Sequence, residues 1–183
     1  PWGWGVSADD PAVPDLREPL RLIALLQAAG VALINVTAGN PHYTPHINRP
    51  FDRNVIGGYS PTEHPLTGVA RMLDLARQVK HAYPGLVVLA SGVSWLRQHV
   101  GLVGAGVLEH SWADMIGVGR GAFAYPDFAR DLLSHGALDP RKCCMACSRC
   151  TQLMRDGQPA GCVPYDSEVY RPLYEIKRGR SAD

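Results

Sequence analysis

The sequence lacks the features that would place the protein in a membrane or on a nucleic acid. No uninterrupted apolar stretch approaches the roughly 18 residues that cross a bilayer, because even residues 22–36 are broken by Gln27, Gly30 and Asn35. Net charge is nearly absent, since 18 Lys and Arg residues stand against 17 Asp and Glu residues. A basic and apolar secretion leader is also missing. We therefore expect a soluble, cytoplasmic protein without nucleic-acid or membrane partners.

Cysteine is absent from most of the chain and concentrated in one segment, which begins at Cys143 and ends at Cys162. The odd number and the expected reducing compartment argue against disulfides. Structural zinc usually takes two separated C-x2-C turns, whereas here Cys144, Cys147 and Cys150 follow one another and Cys162 comes after eleven more residues. That spacing is typical of an iron–sulfur cluster, with zinc and free thiols as the alternatives. Cys143 is the spare cysteine or replaces Cys144.

Outside this segment the sequence alternates between predicted strands and helices. The apolar runs predict strands at 3–8, 31–39, 85–92 and 113–121. Helical spacing predicts helices at 16–29, 66–82, 95–103 and 126–134. Such alternation indicates an α/β fold with a parallel sheet. A closed TIM barrel takes about 250 residues, so four strand–helix units predict half of one.

The first predicted helix carries a regular apolar stripe. Its members are Leu22, Leu25, Leu26 and Ala29, which have the i, i+3, i+4, i+7 spacing of one helix face and predict a helix. Gly30 follows as the expected C-terminal cap.

Two neighbouring strands end in small residues that suit an anion. Ser91 and Gly92 close the third predicted strand, and Gly119 and Arg120 close the fourth. Ligands of parallel sheets bind at these strand ends. Glycines let backbone N–H groups approach an anion, and a guanidinium grips phosphate with a fork of donors. We expect a phosphate site here; the alternatives are strand-ending glycines and a surface arginine.

The loop at 40–65 is longer than structural connections usually are. It is expected to bring polar side chains to the mouth of the site: His42, Tyr43, His46, Asn48 and Arg49. Catalysis by His42, His46 or Tyr43 is the functional interpretation. An exposed polar loop without chemistry is the alternative.

The order of these motifs carries a family resemblance. The segments GVSADD, GVALINVTAG, VVLASG and ADMIGVGRGAFAYPDFARDLL precede the cysteine pattern. Together they resemble the C-terminal half of the NADH:flavin oxidoreductases, the old yellow enzyme family. The closest likeness is to its iron–sulfur branch, which includes 2,4-dienoyl-CoA reductase and trimethylamine dehydrogenase. The resemblance implies that residues 1–139 are half of an FMN-binding TIM barrel and that 140–183 are a cluster segment with a tail.

The resemblance also implies roles for individual residues. The FMN phosphate would be held by Ser91, Gly92, Gly119 and Arg120, and a [4Fe–4S] cluster by Cys144, Cys147, Cys150 and Cys162. A loop histidine, His42 or His46, would help protonate a small-molecule substrate, with Tyr43 beside them. FMN would exchange hydride with the substrate and electrons with the cluster. NAD(P)H as electron donor and a separate electron-transfer partner complete the implied activity.

Four departures from the family pattern accompany the resemblance. Gly5 stands where the family commonly has an arginine, and two residues rather than three separate Cys147 from Cys150. The sequence covers neither the first four barrel strands nor a C-terminal nucleotide-binding domain. We therefore expect pairing with the missing N-terminal half-barrel or self-association. The rival functions are a non-catalytic iron–sulfur or zinc-binding domain for electron transfer or interaction, and a phosphate-binding isomerase or lyase barrel.

Overall fold

The centre of the molecule is a small parallel sheet. The structure, a computed structural model, describes residues 4–10, 13–41, 43–52 and 59–176. Its three strands lie in the order β1-β2-β3, with bounds Leu33–Val36 (β1), Val87–Ala90 (β2) and Met115–Ile116 (β3). Ala90 lies opposite both Val36 and Ile116, so the carboxyl ends of the strands meet at one edge. The predicted α/β class with a parallel sheet is confirmed.

Helices surround and extend this sheet. Their bounds are Arg17–Ala28 (α1), Pro45–Asn48 (α2), Pro65–Ala82 (α3), Val100–Glu109 (α4), Gly119–Ala124 (α5), Phe128–His135 (α6), Arg149–Arg155 (α7) and Ser167–Glu175 (α8). A 3-10 helix, Ser94–His99, precedes α4. The four predicted helices are confirmed as α1, α3, the 3-10 helix with α4, and α6. The short helices α2 and α5, and both helices of the cysteine segment, were not predicted.

The apolar core lies between β2 and α3. Val88 and Ala90 of the central strand are buried, as are Val69, Met72 and Ala76 on the facing side of α3. Val87 and Leu89, on the other face of β2, are only partly buried, so burial alternates along this strand. This core holds the carboxyl ends of the strands in place, and with them the residues that follow each strand.

The predicted strand at 3–8 does not form in residues 4–8, the part of it that the structure describes. Gly5 has φ of +81°, and Val6 makes only an isolated antiparallel bridge to Pro14. The Ser7 N–H donates to the Val13 carbonyl at 2.9 Å, so the chain turns back on itself. The backbone groups that a sheet strand would offer are thereby used locally.

The strand predicted at 113–121 is also shorter than expected. It ends at Ile116, and helix α5 begins at Gly119. A Cβ placed on Gly121 would lie only 2.3 Å from the Cγ1 of Val118, so this tight turn into α5 requires glycine. Arg120 consequently lies on a short helix and not in a loop at a strand end.

The apolar stripe that predicted helix α1 is not its buried face. Leu22 and Leu25 are exposed, Leu25 by 69%, whereas Ile23 is buried and Leu20 packs against the core. An overlapping stripe of Leu20 and Ile23 satisfies the same helical period. Gly30 has φ of +90° after the last turn, as its predicted capping position requires.

Candidate functional site

Four cysteines from two segments line one cleft. Cys144 and Cys147 come from the loop that enters α7, Cys150 lies in the first turn of α7, and Cys162 comes from the return between α7 and α8. The cleft has about 280 Å³ of empty volume, counted out to solvent, and Arg120 lines it as well. The structure thus brings together the four cysteines that the spacing singled out.

The loop that presents these thiols has an unusual backbone. Ala146 and Ser148, on either side of Cys147, have φ of +54° and +56°, and both are buried. Residues other than glycine rarely adopt this left-handed region and pay for it in strain. The Ala146 N–H donates to the Cys144 Sγ at 3.4 Å, the bond that a sulfur ligand receives in a tight turn. The strained turn therefore aims neighbouring thiols into the same cleft.

Two of the four thiols, Cys150 and Cys162, have raised pKa values. Burial raises the pKa of Cys150 and raises that of Cys162 to about 11, and the neighbouring cysteines raise both further. Opposing this, Arg120 lowers the pKa of Cys150, and the Tyr165 N–H lowers that of Cys162. Because thiolates are the metal ligands, binding must release protons.

The four thiols line the cleft without forming a closed site for a metal ion. Within the described ranges, no three His, Cys, Asp or Glu side chains are arranged to hold one metal ion. Four thiolates around one zinc lie only about 3.8 Å apart, given a Zn–S bond of about 2.3 Å, whereas a four-iron cluster gives each thiolate its own iron atom.

Arg120 is turned toward the cysteines. Its Nη1 donates to the Ser148 Oγ at 3.1 Å, and its Nη2 donates to the Pro50 carbonyl at 3.3 Å. Burial lowers the pKa of its guanidinium, whereas Cys144, Cys150 and Cys147 raise it. A cation held at this position offsets the negative charge of thiolates. Arg120, which the resemblance assigns to the FMN phosphate, contacts the cysteine loop in the described structure.

The other predicted phosphate ligands are neighbours but are not all free. Ser91 donates its hydroxyl to the Val36 carbonyl at 3.3 Å, across the carboxyl ends of β1 and β2. Gly92 has φ of +86°, and a Cβ there would meet Met72 at 3.2 Å and the Asn48 carbonyl at 3.3 Å. Around Gly119 the space is open. The hydroxyl and the guanidinium expected to grip phosphate are thus bonded to protein atoms in the described structure.

The predicted catalytic residues of the long loop have different environments. His42 lies outside the described residues. Tyr43 is 80% exposed. His46, on α2, is largely buried and is hydrogen-bonded through Nδ1 to the Tyr59 hydroxyl. Its Nε2 lies 3.9 Å from the Glu63 Oε1. Sequence reasoning missed Tyr59 and Glu63, because no spacing rule links them to His46.

Arg49 connects this loop to the cysteine segment. Its Nη1 donates to the Thr151 hydroxyl, next to Cys150. Its Nε is buried and finds no hydrogen-bond partner among the described atoms. Burial and the repulsion of Arg120 and Arg155 lower the pKa of Arg49 to about 10, opposed by Cys150 and Tyr59. Two guanidiniums, those of Arg49 and Arg120, therefore lie close to the cleft.

Cys143 belongs to a different environment from the other four cysteines. It packs with Tyr125 and Leu138 in a small apolar cluster, and its Sγ donates to the Asp139 carbonyl at 3.3 Å. It lines a neighbouring cavity rather than the cleft. Burial raises the pKa of its thiol. The position fits the prediction of a spare cysteine.

Comparisons with known proteins identify no family for this chain. Across the described ranges, no helix has the length and apolar character to cross a membrane. No family model matches the chain, and no curated protein or solved structure matches it significantly.

Proposed function

We propose that this chain holds a [4Fe–4S] cluster on Cys144, Cys147, Cys150 and Cys162 and acts within an FMN-dependent oxidoreductase. The type that its motif order resembles is an NADH:flavin oxidoreductase of the enoate or dienoyl reductase kind. The observation that carries the cluster assignment is the convergence of four thiols from two segments on one cleft, beside Arg120. When bound, such a cluster supplies one-electron transfer.

The residues around the cleft support four thiolates. The Ala146 N–H donates to the Cys144 sulfur, and the Tyr165 N–H bonds the Cys162 sulfur. Arg120 adds a positive charge from helix α5. Hydrogen bonds and charges of this kind orient sulfur ligands and tune a metal centre. Leu153 and Val163, both buried, close the apolar side of the segment.

The flavin part of the proposal has weaker support. The motif order resembles the flavin family, and the glycine-ended strands β2 and β3 lie side by side, with a Cβ on Gly117 3.3 Å from the Ser91 Cβ. The bonded states of Ser91 and Arg120 do not fit the predicted phosphate grip. The roles of FMN, NAD(P)H and the small-molecule substrate therefore rest on the resemblance alone.

The barrel is likewise a proposal. In the described sheet β1 and β3 each have one neighbour, and open strand edges pair readily with further strands. A missing N-terminal half-barrel or a second copy of this chain would supply them. Helices on a three-stranded parallel sheet are compatible with part of a TIM barrel but equally with other α/β folds.

The second candidate is a cluster-binding electron-transfer or interaction module without catalysis. It is favoured by the same observation that weakens the flavin, namely the internal bonds of Ser91 and Arg120. If this module bound zinc instead of a cluster, the four thiols would have to surround one ion. In the described residues they are not arranged in that way.

Anaerobic purification or reconstitution with iron and sulfide tests the assignment. We expect about four iron and four sulfide per chain, with broad visible absorption. Cys147→Ser should lose the iron, and the matched control Cys143→Ser should keep it. Added FMN that binds stoichiometrically supports the oxidoreductase, whereas a cluster without flavin supports the module. One zinc and no iron would overturn both cluster proposals.

A further inference from the structure

A second polar site lies where α2 meets the start of α3. His46 is hydrogen-bonded through Nδ1 to the Tyr59 hydroxyl, and its Nε2 lies 3.9 Å from the Glu63 Oε1. Arg71 of α3 holds both oxygens of Glu63, with Nη1 donating to Oε1 at 3.0 Å. A hydroxyl, an imidazole and a carboxylate thus follow one another in a line, and an arginine fixes the carboxylate.

The order of these groups determines which ring nitrogen of His46 carries hydrogen and which accepts it. A carboxylate facing Nε2 favours the tautomer with hydrogen on that nitrogen, which leaves Nδ1 to accept from the Tyr59 O–H. This is the arrangement in which a histidine, oriented by an acid, takes a proton from a hydroxyl. At 3.9 Å, Glu63 acts on His46 by charge and not by a direct hydrogen bond.

Tyr59 is fixed on one side and open on the other. Its ring meets the edge of His46 at 5.4 Å between centroids, and that of buried Phe51 at 6.3 Å. Such edge contacts hold an aromatic ring in one orientation. Tyr59 nevertheless keeps 38% of its surface exposed, so molecules from solvent can reach it.

We propose that Tyr59, His46 and Glu63 form an acid–base relay in which the Tyr59 hydroxyl exchanges a proton with a bound molecule. In the forward direction the ligand's hydrogen passes to the Tyr59 oxygen while the Tyr59 proton passes to His46 Nδ1. The resulting imidazolium faces the Glu63 carboxylate. The reverse transfer returns the proton, and no electrons leave the ligand. The relay therefore needs neither cluster nor flavin.

The charges around the relay indicate the class of ligand. Arg49 lies close enough to Tyr59 for the two to interact electrostatically, and Arg71 stands behind Glu63. Positive charge beside a proton acceptor favours a ligand that becomes an anion as its hydrogen leaves. The ligand class is therefore a weak acid, a molecule that becomes an anion when its hydrogen leaves.

Acylation of the apoprotein by p-nitrophenyl acetate tests the relay without a known ligand. The Tyr59 oxygen attacks the ester carbonyl, the bond to nitrophenolate breaks, and the Tyr59 proton goes to His46. Peptide mass spectrometry then locates acetyl-tyrosine. Tyr43, at 80% exposure, is the internal reference, because accessibility alone would make it react faster than Tyr59. We expect Tyr59 to react roughly tenfold faster than Tyr43, the low end of general-base catalysis.

Two further measurements separate a relay from a merely reactive tyrosine. His46→Gln should reduce the Tyr59 rate to that of Tyr43, while His81→Gln on the far end of α3 should change neither. Burial lowers the pKa of His46, opposed by Glu63 and reinforced by Arg71. The Tyr59 rate of the unaltered chain should therefore persist below pH 6.5, the ordinary histidine value, and fall at lower pH. Equal labelling of both tyrosines, or a rate indifferent to His46→Gln, overturns the relay.

Discussion

The sheet region and the cysteine segment are stabilised by different forces. Around β2 and α3, apolar side chains such as Val88 and Met72 are almost completely buried. In the cysteine segment the apolar core is small, consisting of Leu153, Val163 and Tyr174, with two partly buried neighbours. A small apolar core stabilises a fold little, and metals commonly make up the difference. The comparison teaches that apolar burial is extensive around the sheet and slight in the cysteine segment, which we propose is completed by a bound cluster.

Polar contacts join the two regions. Arg120 reaches Ser148, and Arg49 reaches Thr151. Lys142 donates to Asp131, which also accepts from the Tyr125 hydroxyl at 2.6 Å. Most of these contacts come from residues near the carboxyl ends of the strands, so the sheet determines where the cysteine loop lies.

The largest expected effect is on the apolar core. Met72→Ala removes a side chain that is only 1% exposed and leaves a cavity against Gly92, so we expect a loss of about 2–5 kcal/mol in the free energy of unfolding. Urea unfolding followed by circular dichroism measures it. Leu133→Ala, at 88% exposure on α6, is the control and should stay within about 0.5 kcal/mol. Equal losses of unfolding free energy in the two variants would contradict the burial of Met72 in the core.

Loading of the metal centre should sharpen the contrast between the regions. When iron and sulfide are bound, amide hydrogen exchange in residues 144–165 should slow by roughly tenfold or more, because metal binding adds to folding free energy. The amides of β2 and α3 should change little. Chelation should reverse the effect in the cysteine segment alone. Uniform protection across both regions would contradict the division.

A more modest effect is expected on the potential of the cluster. Arg120→Gln removes the positive charge that lines the cleft, so the reduced state loses stabilisation. We expect the midpoint potential to fall by on the order of 60 mV, a tenfold change for one electron. Arg120→Lys should fall less, and Arg141→Gln, on an exposed side chain paired with Asp139, should leave the potential unchanged. A redox titration followed by EPR reads these values.

The smallest expected effect is on acid stability at the junction. The Tyr125 hydroxyl, with help from Lys142, lowers the pKa of Asp131 from 3.8 to about 2. A carboxyl whose pKa is depressed on folding contributes stability above its unfolded pKa, and loses it as pH falls. The contribution should vanish between about pH 4 and pH 2. Asp131→Asn should flatten the stability profile in that window; a profile identical to that of the unaltered chain would remove Asp131 from the junction.

The sequence supported some of these features better than others. Alternating periodicity predicted the sheet class and four helix positions, because burial patterns are local in the chain. Periodicity predicted helix α1 but did not determine which of two overlapping stripes is buried, and it predicted a strand at 3–8, where Gly5 and the backbone bonds to residues 13–15 make a turn. Spacing singled out four cysteines, but no local pattern indicated that Arg120 lies on a short helix and contacts the cysteine loop.

Residue order alone determined that this chain contains an alternating α/β region followed by a compact set of cysteines. Only the tertiary structure decided where Arg120 and Arg49 point, that Cys143 lies apart, and that His46 meets Tyr59 and Glu63. The reason is physical. Periodicity and ligand spacing are properties of neighbours along the chain. The partners of a buried charge are set by packing between segments that lie far apart in sequence.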